Sequence, residues 1–155
     1  MSALPSELVL HPLLAQVQLE ACLTGLAWAG HVLPREAWGL VQAGAAVLVD
    51  VRSPEERHFV GRVPGSLHVP WASGTALTRN PRFARELQAR LSPRQPLLML
   101  CRSGERAQAA AEAATRAGFM YAFSVLEGFE GNLDPGQRRG RLNGWRFHGL
   151  PWTQD

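Results

Sequence analysis

Two kinds of apolar pattern alternate along this chain. Short runs with no polar position, Val47-Leu48-Val49 and Leu97-Leu98-Met99-Leu100, have the form of strands covered on both faces of a parallel sheet. Residues 121–126, apolar but for Tyr121 and Ser124, read as another buried strand, and residues 46–51 extend the first run to Asp50 and Val51. The intervening stretches carry apolar residues at helical spacing: Trp38 and Val41 within residues 34–43, Phe83, Leu87 and Leu91 within residues 82–91, and Ala107, Ala110, Ala111, Ala114 and Ala117. Their ends are punctuated. Pro34 suits a first turn, Gly44 and Gly118 supply left-handed stops, and Ser92-Pro93 closes the helix at residues 82–91. Ser53 caps a short helix with Glu55 and Glu56 in its first turn, and Val63-Pro64-Gly65 turns into a strand at residues 67–69. Upstream, Leu13, Leu14, Val17, Ala21 and Ala27 form a partly helical stripe that ends at Gly30. This alternation predicts an α/β fold, a central parallel sheet flanked by helices. Residues 1–30 read as an N-terminal helical extension and residues 31–155 as the main domain.

Length adds that one domain suffices: 155 residues bury a single core. A hydrophobic fraction of 46% and a charged fraction of 19% belong to an ordinary globular chain. The net charge of +3 is carried by arginine alone, and without lysine no Schiff base can form. Outside Arg138-Arg139-Gly140-Arg141 the arginines are scattered with few interleaved aromatics, so nucleic acid is not an expected partner. No membrane span is expected, because Gln16, Gln18 and Glu20 interrupt the most apolar N-terminal stretch. No lysine or arginine precedes Arg35, which argues against a signal peptide, and two cysteines fit a reducing compartment; the expected location is the cytoplasm. The five histidines are dispersed and no phosphate loop or dinucleotide fingerprint occurs, so neither metal nor cofactor is expected.

Candidate chemistry concentrates after the Leu97 run, where Cys101-Arg102-Ser103-Gly104-Glu105-Arg106 joins a strand end to an alanine-rich helix. Such a loop collects backbone N–H groups and the positive end of the helix dipole, which together make an anion cradle. Flanked by Arg102 and Arg106, Cys101 is expected to act as a thiolate, the nucleophilic form of cysteine. Cys22 lies on or beside the N-terminal stripe and reads as a core residue, with a resolving cysteine as the alternative.

These segments resemble the rhodanese domain. Cys101 to Arg106 looks like its six-residue active loop, and Val49-Asp50-Val51-Arg52 with Glu55-Glu56 and Gly61-Arg62-Val63-Pro64-Gly65 looks like its first signature. Arg62 stands where the family usually has histidine. Leu126-Glu127-Gly128 and the stretch from Gly144 through Trp145 to Pro151 resemble the end of the domain, while residues 131–144 look like an insertion. The resemblance covers roughly residues 33–152 and implies a rhodanese-like three-layer sandwich.

It also implies a sulfurtransferase: Cys101 takes a sulfane sulfur from a donor such as thiosulfate and passes it to cyanide or a thiol, through a persulfide. Arg102, Ser103, Gly104, Glu105 and Arg106 are carried over as substrate-binding, and Asp50 as a support beneath the loop. Arg52 is expected to pair with a carboxylate such as Glu56. Partners are then a small sulfur donor and a thiol or cyanide acceptor, with a protein acceptor as a further possibility. The alternatives are a persulfide carrier or regulatory module, and a phosphatase or arsenate reductase on the same fold. Arg138, Arg139 and Arg141 are candidates for a basic flap over the site.

Overall fold

The computed structural model describes residues 9–154; the first eight residues of the expected N-terminal extension lie outside the described residues. Five parallel strands form the central sheet in the order β1-β7-β6-β2-β3: β1 Gly30–Val32, β2 Val47–Asp50, β3 Leu67–His68, β6 Leu97–Leu100 and β7 Ala122–Val125. A two-stranded antiparallel hairpin, β4 Ala72–Ser73 and β5 Thr78–Arg79, stands apart from it. Strand β6 lies at the centre, with Leu97 to Leu100 matched to Val47 to Asp50 on one side and Leu97 to Met99 matched to Ala122 to Ser124 on the other.

Side-chain alternation divides the core in two. Val49, Val51, Leu97, Met99 and Ala122 face helices α4 (Phe83–Arg90) and α5 (Glu105–Arg116), where Phe83, Leu87 and the alanines of α5 bury against them. On the other face Leu48, Leu98, Leu100, Phe123 and Val125 pack with Leu14 of α1 (Pro12–Thr24), Ala37 and Leu40 of α2 (Pro34–Gln42), Phe129 and Trp145. Both sheet faces are covered, which is why β6 reads as four consecutive apolar residues. The result is the expected three-layer α/β sandwich. Helix α3 (Pro54–Val60) buries no residue and sits at the carboxyl end of β2.

The N-terminal reading needs three corrections. Helix α1 stops at Thr24, where Gly25 takes a left-handed φ of 78°, six residues before the expected end at Gly30. Gly30-His31-Val32 is an edge strand paired with β7, too short and too polar to show a period of its own. Cys22 is exposed and not in the core, because α1 buries Leu14 and Ala21 and leaves position 22 on an open cleft beside Trp28, Thr115 and Met120.

Candidate active site

Cys101 follows the last residue of β6, and the parallel arrangement puts it at the carboxyl end of the sheet beside Asp50 and the segment after β7. That is where open α/β sheets hold ligands. The side chain is buried, 1% exposed, and its Sγ accepts hydrogen bonds from the Gly104 N–H at 3.0 Å and the Ala107 N–H at 3.3 Å. Gly104 caps α5 with φ 116°, a conformation that turns its amide back toward the sulfur. The cradle read from the loop is thus built from backbone amides at the start of a twelve-residue helix. Such donors stabilise negative charge developing on sulfur.

The loop's backbone is held from behind by the segment following β7. Phe129 N–H donates to the Cys101 carbonyl at 2.7 Å, and Glu130 and Gly131 N–H groups both donate to the Arg102 carbonyl, at 3.0 and 3.1 Å. A Cβ on Gly128 would come within 2.4 Å of the Arg102 carbonyl carbon and oxygen, so only glycine admits this approach. Glu127 beside it takes φ 70° and receives the Gly144 N–H at 3.0 Å and His148 at 2.9 Å on Oε1. The bonds from Phe129, Glu130 and Gly131 escape residue-by-residue reading because they act through the backbone; the signal present was the Leu126-Glu127-Gly128 motif itself.

Asp50 is fully buried and binds two arginines: Arg52 through Nε at 3.0 Å and Nη2 at 2.8 Å, and Arg57 through Nη1 at 3.0 Å. Arg52 thus pairs with a carboxylate as expected, but with Asp50 and not with the suggested Glu56. Arg52, also fully buried, lies two residues from Asp50 and lays its guanidinium 4.2 Å from the Phe129 ring centroid. Glu56 turns the other way and takes Arg106 in a bidentate pair, with bonds of 2.7 and 2.8 Å. Burial opposes ionisation of Glu56, but the Arg106 bonds and the Ser53 N–H outweigh it and bring the carboxyl down to about 2. Burial likewise disfavours the Arg106 cation, and Glu56 more than offsets this, raising its pKa above the ordinary arginine value. Asp50 makes no hydrogen bond to residues 101–106; its brace goes to the Arg52–Arg57 segment that carries Glu56 to the loop.

Of the other loop residues, Glu105 points to solvent while Arg102 and Ser103 are half-buried. A cleft of about 370 Å³ opens beside Arg102 and also touches Ser53, Glu56, Glu130 and Arg139. Of the three arginines of the expected flap, Arg139 reaches this cleft, whereas Arg138 and Arg141 are exposed. Trp71 stacks edge-on against Phe83, with Arg79 over its ring. Among the described residues no group of three or more His, Cys, Asp or Glu side chains could hold a metal, and no helix is long and apolar enough to cross a membrane.

Known proteins resemble this chain in fold and in sequence. The crystal structure of Rv0390 from M. tuberculosis superposes with a TM-score of 0.75 at 44% identity, covering 83% of this chain and 99% of that one. Senescence-associated protein DIN1 of Raphanus sativus is 31% identical over 97 residues, 61% of this chain and 52% of the radish protein. Adenylyltransferase and sulfurtransferase UBA4 of Meyerozyma guilliermondii is 39% identical over 64 residues, 41% of this chain and 14% of the yeast protein. This chain therefore spans about half the length of the first relative and a small part of the second. The family model described as Rhodanese-like domain matches residues 33–131, from the start of α2 through the cysteine loop to the glycine that backs it, and this chain belongs to the rhodanese-like family.

Proposed function

We propose that this protein is a sulfurtransferase that carries a sulfane sulfur on Cys101. The observation that carries the reading is the pair of amide donors converging on Sγ from Gly104 and Ala107 at the N-terminus of α5. Membership of a family that includes sulfurtransferases supports it, and so does the word sulfurtransferase in the name of the UBA4 relative.

The chemistry is double displacement. A lone pair of the Cys101 thiolate forms a bond to the outer sulfur of thiosulfate; the sulfur–sulfur bond of the donor breaks and its electron pair leaves with sulfite. The resulting persulfide keeps its negative charge on the outer sulfur, within reach of the loop amides. An acceptor, cyanide or a thiolate, then bonds to that outer sulfur while the pair of the Cys101 bond returns to Sγ. No proton or external oxidant is needed in either half. Arg106 has its fork engaged by Glu56, so the anionic donor falls to the loop amides and to Arg102. Glu105 faces solvent and leaves the cradle free of an opposing carboxylate.

Mass spectrometry of the intact protein after incubation with thiosulfate tests the proposal. A gain of one sulfur atom that maps to Cys101 and disappears on adding cyanide is expected; no gain, or a gain on Cys22, would overturn it.

A further inference from the structure

The cleft beside Arg102 is too large for an inorganic sulfur anion alone. At about 370 Å³ it falls in the range of roughly 300–1,000 Å³ typical of small-molecule sites. Its walls come from four parts of the chain: Ser53 and the start of α3, the turn of the β4–β5 hairpin, Arg102, and Arg139 of the segment after β7. Two of the lining side chains, Val60 and Leu77, are apolar, and Leu77 is held on the hairpin at φ 51°, an uncommon conformation for a bulky residue.

Charges around the cleft are unequally satisfied. Glu56 is consumed by Arg106, Glu130 lies 4.0 Å from Arg146, and the Glu55 carboxylate accepts the Gly74 N–H. Among the described residues neither Arg102 nor Arg139 has a carboxylate partner. Arg139 is nevertheless fixed in place, because its Nη1 donates to the Gly131 carbonyl at 2.7 Å while the Gly131 N–H donates to the Arg102 carbonyl at 3.1 Å. One residue, Gly131, thus ties the second guanidinium to the backbone of the first, next in sequence to the nucleophile. The Nε of Arg102 is buried without a partner, and among the described residues its terminal nitrogens bond no carboxylate, so the guanidinium is open to a ligand.

We propose that Arg102 and Arg139 form a clamp for the anionic end of an organic thiol or persulfide, whose carbon stem lies against Val60 and Leu77. Planar guanidinium forks suit a carboxylate or sulfonate. Arg139 is then a specificity-determining residue supplied by the 131–144 segment. This deepens the sulfurtransferase reading and rests on it for the identity of the reacting sulfur, but binding can be measured without turnover.

The probes are methylthiopropionate, whose capped sulfur accepts no further sulfur, and the neutral methylthiopropanol, titrated into the full chain by chemical-shift perturbation. The acid is expected to bind more tightly than the alcohol. Arg139→Gln should weaken the acid about tenfold, the order of one hydrogen bond to a charged group, with the alcohol as internal reference for an intact fold. Arg139→Lys should recover part of the loss, and Arg138→Gln, exposed outside the cleft, should leave the affinity for the acid where it was. Equal affinity for the two probes, binding of neither, or an equal loss in Arg138→Gln would overturn the clamp. Thiosulfate displacing the acid at equal or lower concentration would overturn the contact to the stem. In a separate arm, failure of Cys101 to gain sulfur from thiosulfate removes the sulfurtransferase reading whatever the probes do.

Discussion

Arg106 and Glu56 join the first turns of two helices that are fifty residues apart in sequence: Nη1 donates to Oε1 at 2.7 Å and Nη2 to Oε2 at 2.8 Å. Glu56 is also the third helical residue of the Ser53 capping box, so one carboxylate closes the start of α3 and pins the start of α5 beneath the cysteine loop. Its folded pKa, about 2, lies below the ordinary 4.5. A carboxyl shifted downward contributes stability that is fully present above its unfolded value and is lost as pH falls through the folded one. Glu56→Gln should therefore cost on the order of 2 kcal/mol at neutral pH, with both side chains about 15% exposed, and the difference from wild type should shrink between pH 4.5 and 2. Urea unfolding of the two proteins across that interval checks it; a pH-independent difference would mean that packing, not charge, holds the pair.

Cys101→Ser should abolish sulfur transfer and leave the thermal midpoint within a few degrees, since one sulfur becomes one oxygen in a pocket whose amides still find an acceptor. Cys22→Ser should keep most activity, because that thiol stands exposed on α1 in a cleft that none of residues 101–106 lines. Parallel cyanide-dependent assays distinguish the two. Loss of activity in the Cys22 variant would mean that a second thiol takes part in turnover.

Asp50→Asn tests the scaffold under the site. Arg52 is fully buried, and removing its counterion strands a charge where water cannot reach it. Breaking a buried pair from one side costs about 3–5 kcal/mol. The urea midpoint should fall accordingly. A loss of activity should accompany the loss of fold, with residual activity tracking the folded fraction, because Asp50 touches the cysteine loop only through the Arg52–Arg57 segment.

The sheet was legible where burial leaves a two-sided signature: β6 is apolar throughout, β2 is apolar up to Asp50 and β7 but for Ser124, and Ser53, Gly44 and Gly118 mark helix ends that the structure keeps within a residue or two. Strand β1 was not, since Gly30-His31-Val32 carries no period and owes its place to pairing with β7. The cysteine loop could be read because its chemistry is contiguous in sequence. Ion-pair partners could not: Arg52 has carboxylates at positions 50, 55 and 56 within reach along the chain, and only the direction of the strand end decides that Asp50 receives it. Exposure of Cys22 likewise depends on where Gly25 ends α1 and how the helix rolls onto β1, neither of which the weak apolar stripe specifies.

Gly128 and Gly104 both hold positive φ, at 70° and 116°, yet their alanine variants should fail differently. At Gly128 a methyl meets the Arg102 backbone at 2.4 Å, which nothing flexible can relieve, so Gly128→Ala should lose more than about 3 kcal/mol and transfer activity together. At Gly104 the nearest atom is the Glu127 nitrogen at 3.6 Å, and the cost is backbone strain alone, about 1–3 kcal/mol. Gly104→Ala should therefore lose activity out of proportion to stability, because its own N–H is one of the two donors on Sγ. Chemical denaturation and turnover measured on the same preparations give the comparison; proportional losses in both variants would remove the amide from the mechanism.

The last prediction concerns what the cradle can hold. From Cys101 to Arg106 the loop has four intervening residues, and the amides of Gly104 and Ala107 already reach Sγ at 3.0 and 3.3 Å. Donors that contact the nucleophile itself sit too close to circle a tetrahedral oxyanion bonded beyond it, since the number of amides and the radius of their ring are set by loop length. Hydrolysis of an aryl phosphate by the wild type should therefore be negligible beside transfer from thiosulfate. Inserting one glycine between Ser103 and Gly104 adds an amide and lengthens the span over which the loop must close. Sulfur transfer should fall in that variant, as Gly104 N–H leaves Sγ, and inhibition by a tetrahedral oxyanion such as arsenate should strengthen. The paired assay, phosphate ester and thiosulfate on both proteins, decides the point. Robust phosphate hydrolysis by the unaltered chain would show that loop size does not discriminate between the two chemistries, and the phosphatase reading would then displace the sulfurtransferase one.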